Sequence, residues 1–526
     1  VFYKMKVFVG LLFLLYFNCA SYAQTDSTSI YYAEKITASS SRKHLAILAS
    51  DAFEGRDTGK PGGQKAAKYI ANEFKKLGLQ APVNHSYFQP IPLIETKFDV
   101  QRFDINGNNY KVGEGFYMTG SGVKTTIEVD KITFIGYGIQ SDNYDDLKNI
   151  NIRGKVVMLI NEGEPVDKKR ISIITQSDSL SDWSVKKNKR IQFILDKKPA
   201  LILAVSTQVS DQLSRYKKYF AQPRIMLAED FKKASENPAV AHITPETAEL
   251  FFKGSNTSYK KLKQIIDKKE KPHSTTFKTS FTAAYGTTTT KVLSQNVLGF
   301  LEGSDLKDEL VVISAHYDHI GISENGDIYN GADDDASGTT AVLEIAKAFT
   351  ASKKAGHGPR RSILFLTVTG EEKGLLGSDF YTRHPIFPLR NTITNLNIDM
   401  IGRIDPAHTN KPNYIYLIGS DKLSSSLHEI SERMNNTYTK LDLDYKYNDP
   451  DDPERIYYRS DHYNFAKNGI PVIFYFNGVH ADYHKETDTI EKIEFDLLAK
   501  RARLVFHTAW ELTNRDQRII VDSHKR

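Results

Sequence analysis

Five stretches of the sequence carry side chains suited to hard or borderline cations. They are His316-Tyr317-Asp318-His319, Gly331-Ala332-Asp333-Asp334-Asp335-Ala336-Ser337-Gly338, Gly370-Glu371-Glu372-Lys373-Gly374, Asn397-Ile398-Asp399-Met400 and Tyr483-His484. A lone His or Asp in a loop is most often a cap or a surface residue; five such stretches offering only imidazole and carboxylate donors point to zinc chemistry. Two neighbouring zinc ions need a bridging carboxylate to offset their repulsion, and one His and one further carboxylate for each ion leave room for a shared water. Three carboxylates against two divalent cations leave a net positive charge, which acidifies that water. The only cysteine is Cys19, so no thiolate zinc site and no disulfide framework is expected.

The elements that position these residues follow from periodicity. Apolar runs at Glu309–His316, Ser362–Thr369, Ile393–Ile401, Tyr414–Ile418 and Pro471–Phe476 read as buried strands. They alternate with a helix over Ala336–Phe349 and a closing helix marked by Leu497, Leu498, Val505, Ala509 and Leu512. Such alternation predicts an α/β fold, a mostly parallel central sheet flanked by helices. Sites in such sheets form beyond the carboxyl ends of the strands, and that is where the five stretches fall. Upstream, Ala67, Ile70, Ala71, Phe74 and Leu77 recur at helical spacing, and Gly78 is placed to end the helix.

Between these parts the texture changes. Residues 98–284 offer short apolar runs such as Ile132–Ile139, Val156–Ile160 and Leu201–Val205, separated by polar loops and lacking any ligand pattern. They are expected to form a separate, inserted β-rich domain with Thr287–Thr290 as its exit linker. The expected organisation is residues 1–23 as a signal peptide, 24–97 as the first part of the catalytic domain, 98–284 as the insert and 285–526 as the metal-binding part.

The chain has 526 residues, more than one core of ordinary size, with 40% hydrophobic and 25% charged residues. That composition excludes disordered, collagen-like and coiled-coil classes. Seventy Lys and Arg against 64 Asp and Glu leave +6, too small an excess to suggest a nucleic-acid partner. At the start, Lys4 and Lys6 precede an apolar run from Val7 to Phe17 and then Ser21-Tyr22-Ala23. The run is about half the length needed to span a bilayer. It reads as a secretory signal cut after Ala23, so the mature protein is expected to be exported, periplasmic or secreted, with no stable membrane span and no cysteine. Lipid attachment at Cys19 is the lesser alternative, since Tyr16-Phe17-Asn18 is bulky where a lipidation signal prefers small residues.

Taken together, these motifs resemble those of the co-catalytic di-zinc aminopeptidase family, which includes bacterial leucyl aminopeptidases and glutamate carboxypeptidase II. The resemblance covers about Ser39–Lys97 and Val292–Asn514. It implies that His316 and Asp399 hold one zinc, that Glu372 and His484 hold the other, and that Asp334 bridges them. Residue types alone leave Asp333, Asp334 and Asp335 open as the bridge; the family's spacing from the opening Gly selects Asp334. Asp318 matches the family's outer carboxylate, which steadies the first His by bonding its far ring nitrogen. Glu371 is the expected general base: adjacent residues leaving a strand point in different directions, so Glu372 can ligate while Glu371 faces the water. Asp461 and His462, in Arg459-Ser460-Asp461-His462, are expected on the substrate side of the pocket. His319 and His480 are expected to be solvated. The middle segment resembles a protease-associated domain by position and texture.

The function implied is that of an exported exopeptidase with two Zn2+ ions that removes N-terminal residues from peptide substrates. Rivals are a carboxypeptidase or dipeptidase on the same fold and a non-catalytic binding protein on a peptidase scaffold. Retention of all five ligands and the base weighs against the binding protein, and a full two-metal ligand set weighs against one-zinc glutaminyl cyclisation.

Overall fold

The computed structural model describes residues 25–522, Lys187 and Ala221 excepted. The expected signal segment and Cys19 lie outside the described residues.

Four strands form the parallel heart of the catalytic part. Leu306–His316 lies between Arg361–Val368 and Thr392–Ile398, parallel to both, and Val472–Phe476 continues parallel on the far side of Thr392–Ile398. Arg361–Val368 and Thr392–Ile398 are buried at every position, as strands covered on both faces must be. Fully burying a side chain such as Ile363 or Phe365 contributes about 1.5–3 kcal/mol. The register sets His316 opposite Val368, Ser314 opposite Asn397 and Ile398 opposite Tyr475, so all four strands end at one edge.

Helices Pro61–Leu77, Ala336–Lys354 and Phe495–Asn514 share one hydrophobic cluster with these strands, through Ile70, Phe74, Val342, Ile345, Leu498, Val505, Ile313 and Phe365. Gly78 closes the first helix at φ 82°, a left-handed conformation that glycine adopts without steric cost. The second helix begins so close to a strand end that a Cβ on Gly338 would lie 2.4 Å from the carbonyl oxygen of Ile398. Only glycine lets that helix start directly behind Asp399.

The segment between residues 98 and 284 differs from the expected β-rich unit. Its strands Val156–Ile160, Leu201–Val205 and Ala239–Ile243 are parallel. Helices Gln208–Phe220, Pro245–Leu250 and Tyr259–Lys269 accompany them, so its content is mixed α/β. The helix Tyr259–Lys269 buries Tyr259, Leu262 and Ile266 at the i, i+3, i+7 spacing of an amphipathic helix. The segment has its own buried cluster, including Phe103, Phe134, Met158, Leu203 and Phe281.

The expected linker is also replaced. Thr287–Thr290 lies inside a 27-residue strand, Thr275–Leu301, paired antiparallel with Phe88–Ile105 so that Thr290 faces Glu95 and Thr287 faces Phe98. Threonine is β-branched and favours extended, half-buried backbone over a flexible joint. A two-stranded ribbon, not a loop, therefore leads into and out of the segment, and its strands join one continuous sheet with the catalytic strands.

Candidate metal and catalytic site

The parallel strand ends gather three of the five stretches, the loop after Val472–Phe476 brings in Tyr483-His484, and the turn that opens the Ala336–Lys354 helix brings in Asp334. His316 is the last residue of its strand and is fully buried. Its Nδ1 donates to the backbone carbonyl of Asp318 at 3.0 Å. This fixes the tautomer and leaves the Nε2 lone pair free, facing Asp334 Oδ1 at 3.3 Å and Asp399 Oδ1 at 3.5 Å. That buried Nε2 has no hydrogen-bond partner among the described residues. A buried nitrogen left free between two carboxylate oxygens could ligate a cation.

Asp334 faces both ways. Its other oxygen, Oδ2, lies 3.1 Å from His484 Nε2 and 3.7 Å from His319 Nδ1. Glu372 reaches the same two imidazoles, His319 Nδ1 at 2.9 Å and His484 Nε2 at 3.2 Å. Two donor groups are compact enough to hold an ion, His316–Asp334–Asp399 and His319–Asp334–Glu372, with the donor atoms of each within 4.8 Å of one another. They share Asp334, the arrangement a pair of zinc ions needs.

The neighbouring aspartates face other groups. Asp335 Oδ1 caps the Ala336–Lys354 helix through Gly338 N at 2.8 Å and accepts Met400 N at 3.0 Å. Asp333 Oδ1 accepts Gly402 N at 2.6 Å, and its Oδ2 lies 3.2 Å from His480 Nε2.

Glu371 lines a pocket together with Asp334 and Asp399; its apolar floor is Met400, Ile456, Phe474, Phe476 and Val479. Burial pushes its carboxyl well above the ordinary range, against the pull of His316. Burial acts likewise on Glu372, but the His319 and His484 imidazoles outweigh it and hold that carboxyl at about 2. The adjacent acids are therefore shifted in opposite directions.

Several expectations are corrected. The Asp318 carboxylate stands 3.8 Å from His316 Nδ1, and it is the Asp318 carbonyl that makes the bond. The carboxylate instead accepts Thr58 Oγ1 at 2.8 Å and the backbone N–H of Glu371 at 3.2 Å. Asp461 and His462 are fully buried and do not line the pocket. Asp461 accepts Ser378 Oγ at 2.5 Å, and His462 stacks on Phe474 with its imidazole pushed down to about 3 by burial. The residue of that stretch that lines the pocket is Arg459. His319 and His480 are buried, not solvated. The loop from Gly331 folds over the His319 ring, and His480 is drawn in by Asp333.

Three supporting residues were not among the expected site residues. Arg56 is fully buried, and its guanidinium donates to the carbonyls of Tyr317 at 2.9 Å, Leu48 at 2.8 Å, Asn330 at 2.6 Å and Gly331 at 2.8 Å. It pins the loops that present His316 and Asp334. Asp488 Oδ2 accepts the backbone N–H groups of Asp333 at 3.0 Å and Asp334 at 3.2 Å. Ser460 donates to Asp399 Oδ2 at 2.6 Å, turning Oδ1 toward His316. Of the three, only Ser460 carried a hint in the sequence, as a member of the Arg459–His462 stretch.

Residues 296–509 match the family described as Peptidase family M28. A probable leucine aminopeptidase of Arthroderma benhamiae is 30% identical over 212 residues, 39% of this chain and 54% of that protein. Aminopeptidase YwaD of Bacillus subtilis is 27% identical over 239 residues, 44% of this chain and 47% of that protein. The chain spans about half the length of the curated relatives it matches. The solved aminopeptidase from Aneurinibacillus sp. strain AM-1 superposes with a TM-score of 0.52 at 15% identity, covering 94% of this chain and 98% of that one. At that identity the likeness establishes the mixed α/β fold.

Proposed function

We propose that the chain, whose residues 296–509 match the family described as Peptidase family M28, is an exported exopeptidase that uses two zinc ions to remove N-terminal residues from peptides. The observation that carries the reading is Asp334, one oxygen of which faces His316 and the other His484 and His319. In this reading His316 and Asp399 hold one zinc, Glu372 and His484 the other, and Asp334 bridges. His319 is a further imidazole beside the second ion.

When bound, the zinc pair supplies a polarised scissile carbonyl and a water acidified toward neutral pH. The chain's own groups do the rest. Glu371 accepts the proton of the attacking water and returns it to the departing amine; its burial raises its basicity for that task. Asp318 holds the Glu371 backbone, so the base stays registered against His316. The apolar floor of Met400, Ile456, Phe474, Phe476 and Val479 receives an apolar portion of the substrate and excludes water beneath the reacting bond.

Export rests on the basic-then-apolar stretch from Lys4 to Ala23. Among the described residues no helix is long and apolar enough to cross a membrane. We read the segment between the ribbon arms as an inserted, protease-associated-like domain, a reading its own buried cluster supports.

The test is hydrolysis of aminoacyl, N-blocked and C-terminally amidated peptides by zinc-reconstituted protein. Release of the N-terminal residue only from substrates with a free α-amino group is expected. Cleavage of N-blocked peptides from the carboxyl end would overturn the aminopeptidase assignment.

A further inference from the structure

One cation on the wall of the catalytic pocket is unexplained by the chemistry above. Arg459 lines the pocket with Asp334, Glu371 and Asp399, yet it pairs with none of those carboxylates, nor with any other carboxylate among the described residues. The other cations nearby are committed: Lys373 to Asp57 at 2.8 Å and Arg403 to Asp482 at 2.9 Å. The Arg459 side chain is exposed, and its one polar contact is Nη2 to the hydroxyl of Tyr483 at 3.4 Å. Tyr483 also lines the pocket, and its ring is stacked on His484 at 3.8 Å between centroids. Arg459 immediately precedes Ser460, which is bonded to Asp399, so its backbone is tied to the metal-binding edge of the sheet.

A guanidinium with free donors offers a planar fork matched to a carboxylate. The pocket wall otherwise carries carboxylates and the floor is apolar, so neither attracts a substrate anion. We propose that Arg459, with the Tyr483 hydroxyl beside it, forms a subsite for a substrate carboxylate. The occupant is either the C-terminal α-carboxylate of a short peptide or an acidic side chain next to the scissile bond. This rests on the peptidase reading and adds to it a preference for anionic peptides, dipeptides above all if the α-carboxylate is the occupant.

The test uses the full zinc-reconstituted chain and four probes: Leu-Gly, its amide Leu-Gly-NH2, Glu-Gly-NH2 and Gln-Gly-NH2. Binding is followed by calorimetry and turnover by product release, in the wild type, Arg459→Met and Arg459→Lys. Because the guanidinium is exposed, the expected effect is about three- to tenfold. If the α-carboxylate is read, the wild type prefers Leu-Gly to its amide by that factor in KM. Arg459→Met abolishes the preference, and Arg459→Lys restores part of it. If a side-chain carboxylate is read, the same pattern separates Glu-Gly-NH2 from Gln-Gly-NH2. Equal handling of acid and neutral probes in both pairs, or a preference that survives in Arg459→Met, overturns the subsite, as does failure to bind any probe. Arg459-dependent preference in binding without cleavage of any peptide leaves the subsite standing and overturns the peptidase reading alone.

Discussion

The Asp318 carboxylate accepts the backbone N–H of Glu371 at 3.2 Å, joining the loop after the first histidine ligand to the proposed general base. The two residues leave adjacent parallel strands, His316 opposite Val368, so a single bond sets the distance between ligand loop and base. Asp318→Ala is expected to lower kcat about 10- to 100-fold, the range for losing an outer-sphere partner. KM and zinc content should change little. Steady-state kinetics with elemental analysis checks this; an unchanged kcat would remove Asp318 from the positioning of the base.

Glu371→Gln keeps the shape of the side chain and loses its proton affinity. The variant is expected to retain its zinc and lose about 10²–10⁴-fold in kcat, the contribution of a positioned acid–base group. Near-normal turnover would assign the proton transfer to another residue.

Arg56→Ala leaves the carbonyls of Tyr317, Leu48, Asn330, Gly331 and Asp334 without their common donor. A loss of at least about 3 kcal/mol is expected from unsatisfied buried groups. Urea titration of the zinc-free chain measures it, and a zinc titration should show weakened binding, because the Gly331–Asp334 loop loses its anchor. A variant as stable as the wild type would mean that water replaces the guanidinium.

Asp146, in the segment outside the catalytic part, gives a pH-dependent signature. Burial pushes its carboxyl up to about 7, although Tyr137 N and Ile139 N both donate to it, at 2.9 Å and 3.2 Å. The folded state therefore holds this proton more tightly than the unfolded state does. The resulting stabilisation is full below the unfolded pKa near 4 and is lost as pH rises through 7, with a slope of at most about 1.4 kcal/mol per pH unit. Asp146→Asn lacks this loss, so its stability relative to the wild type should rise between pH 4.5 and pH 8 (~1.4 kcal/mol per unit at the steepest). Thermal midpoints of both proteins across that range check the sign; a constant gap would refute it.

Much of the catalytic edge was legible in the sequence because parallel strands bury both faces and end in loops, so ligand-bearing loops follow continuous apolar runs. His316, Glu372 and Asp399 stand at or just beyond the end of such a run, whereas Asp334 sits in the turn before the Ala336–Lys354 helix and His484 in the loop after Val472–Phe476. What stayed hidden depends on partners distant along the chain. Arg56 meets Gly331, and Asp488 meets Asp334, with no local periodicity to mark either. His319 was misplaced because its burial is imposed by the loop that Arg56 ties down. The same limit applied to Asp461 and His462: a motif places a stretch near the site without saying which side chain faces the pocket, and that one is Arg459. The Thr287–Thr290 run was taken for a joint on composition, whereas its β-branched side chains serve a paired ribbon.

The shared position of Asp334 between two imidazole sets is the centre of the account, and zinc stoichiometry tests it most directly. Elemental analysis of dialysed, zinc-reconstituted protein should give two zinc ions per chain in the wild type, and Asp334→Ala should lose both together. One ion or none in the wild type, or an Asp334→Ala variant that keeps both, would contradict it.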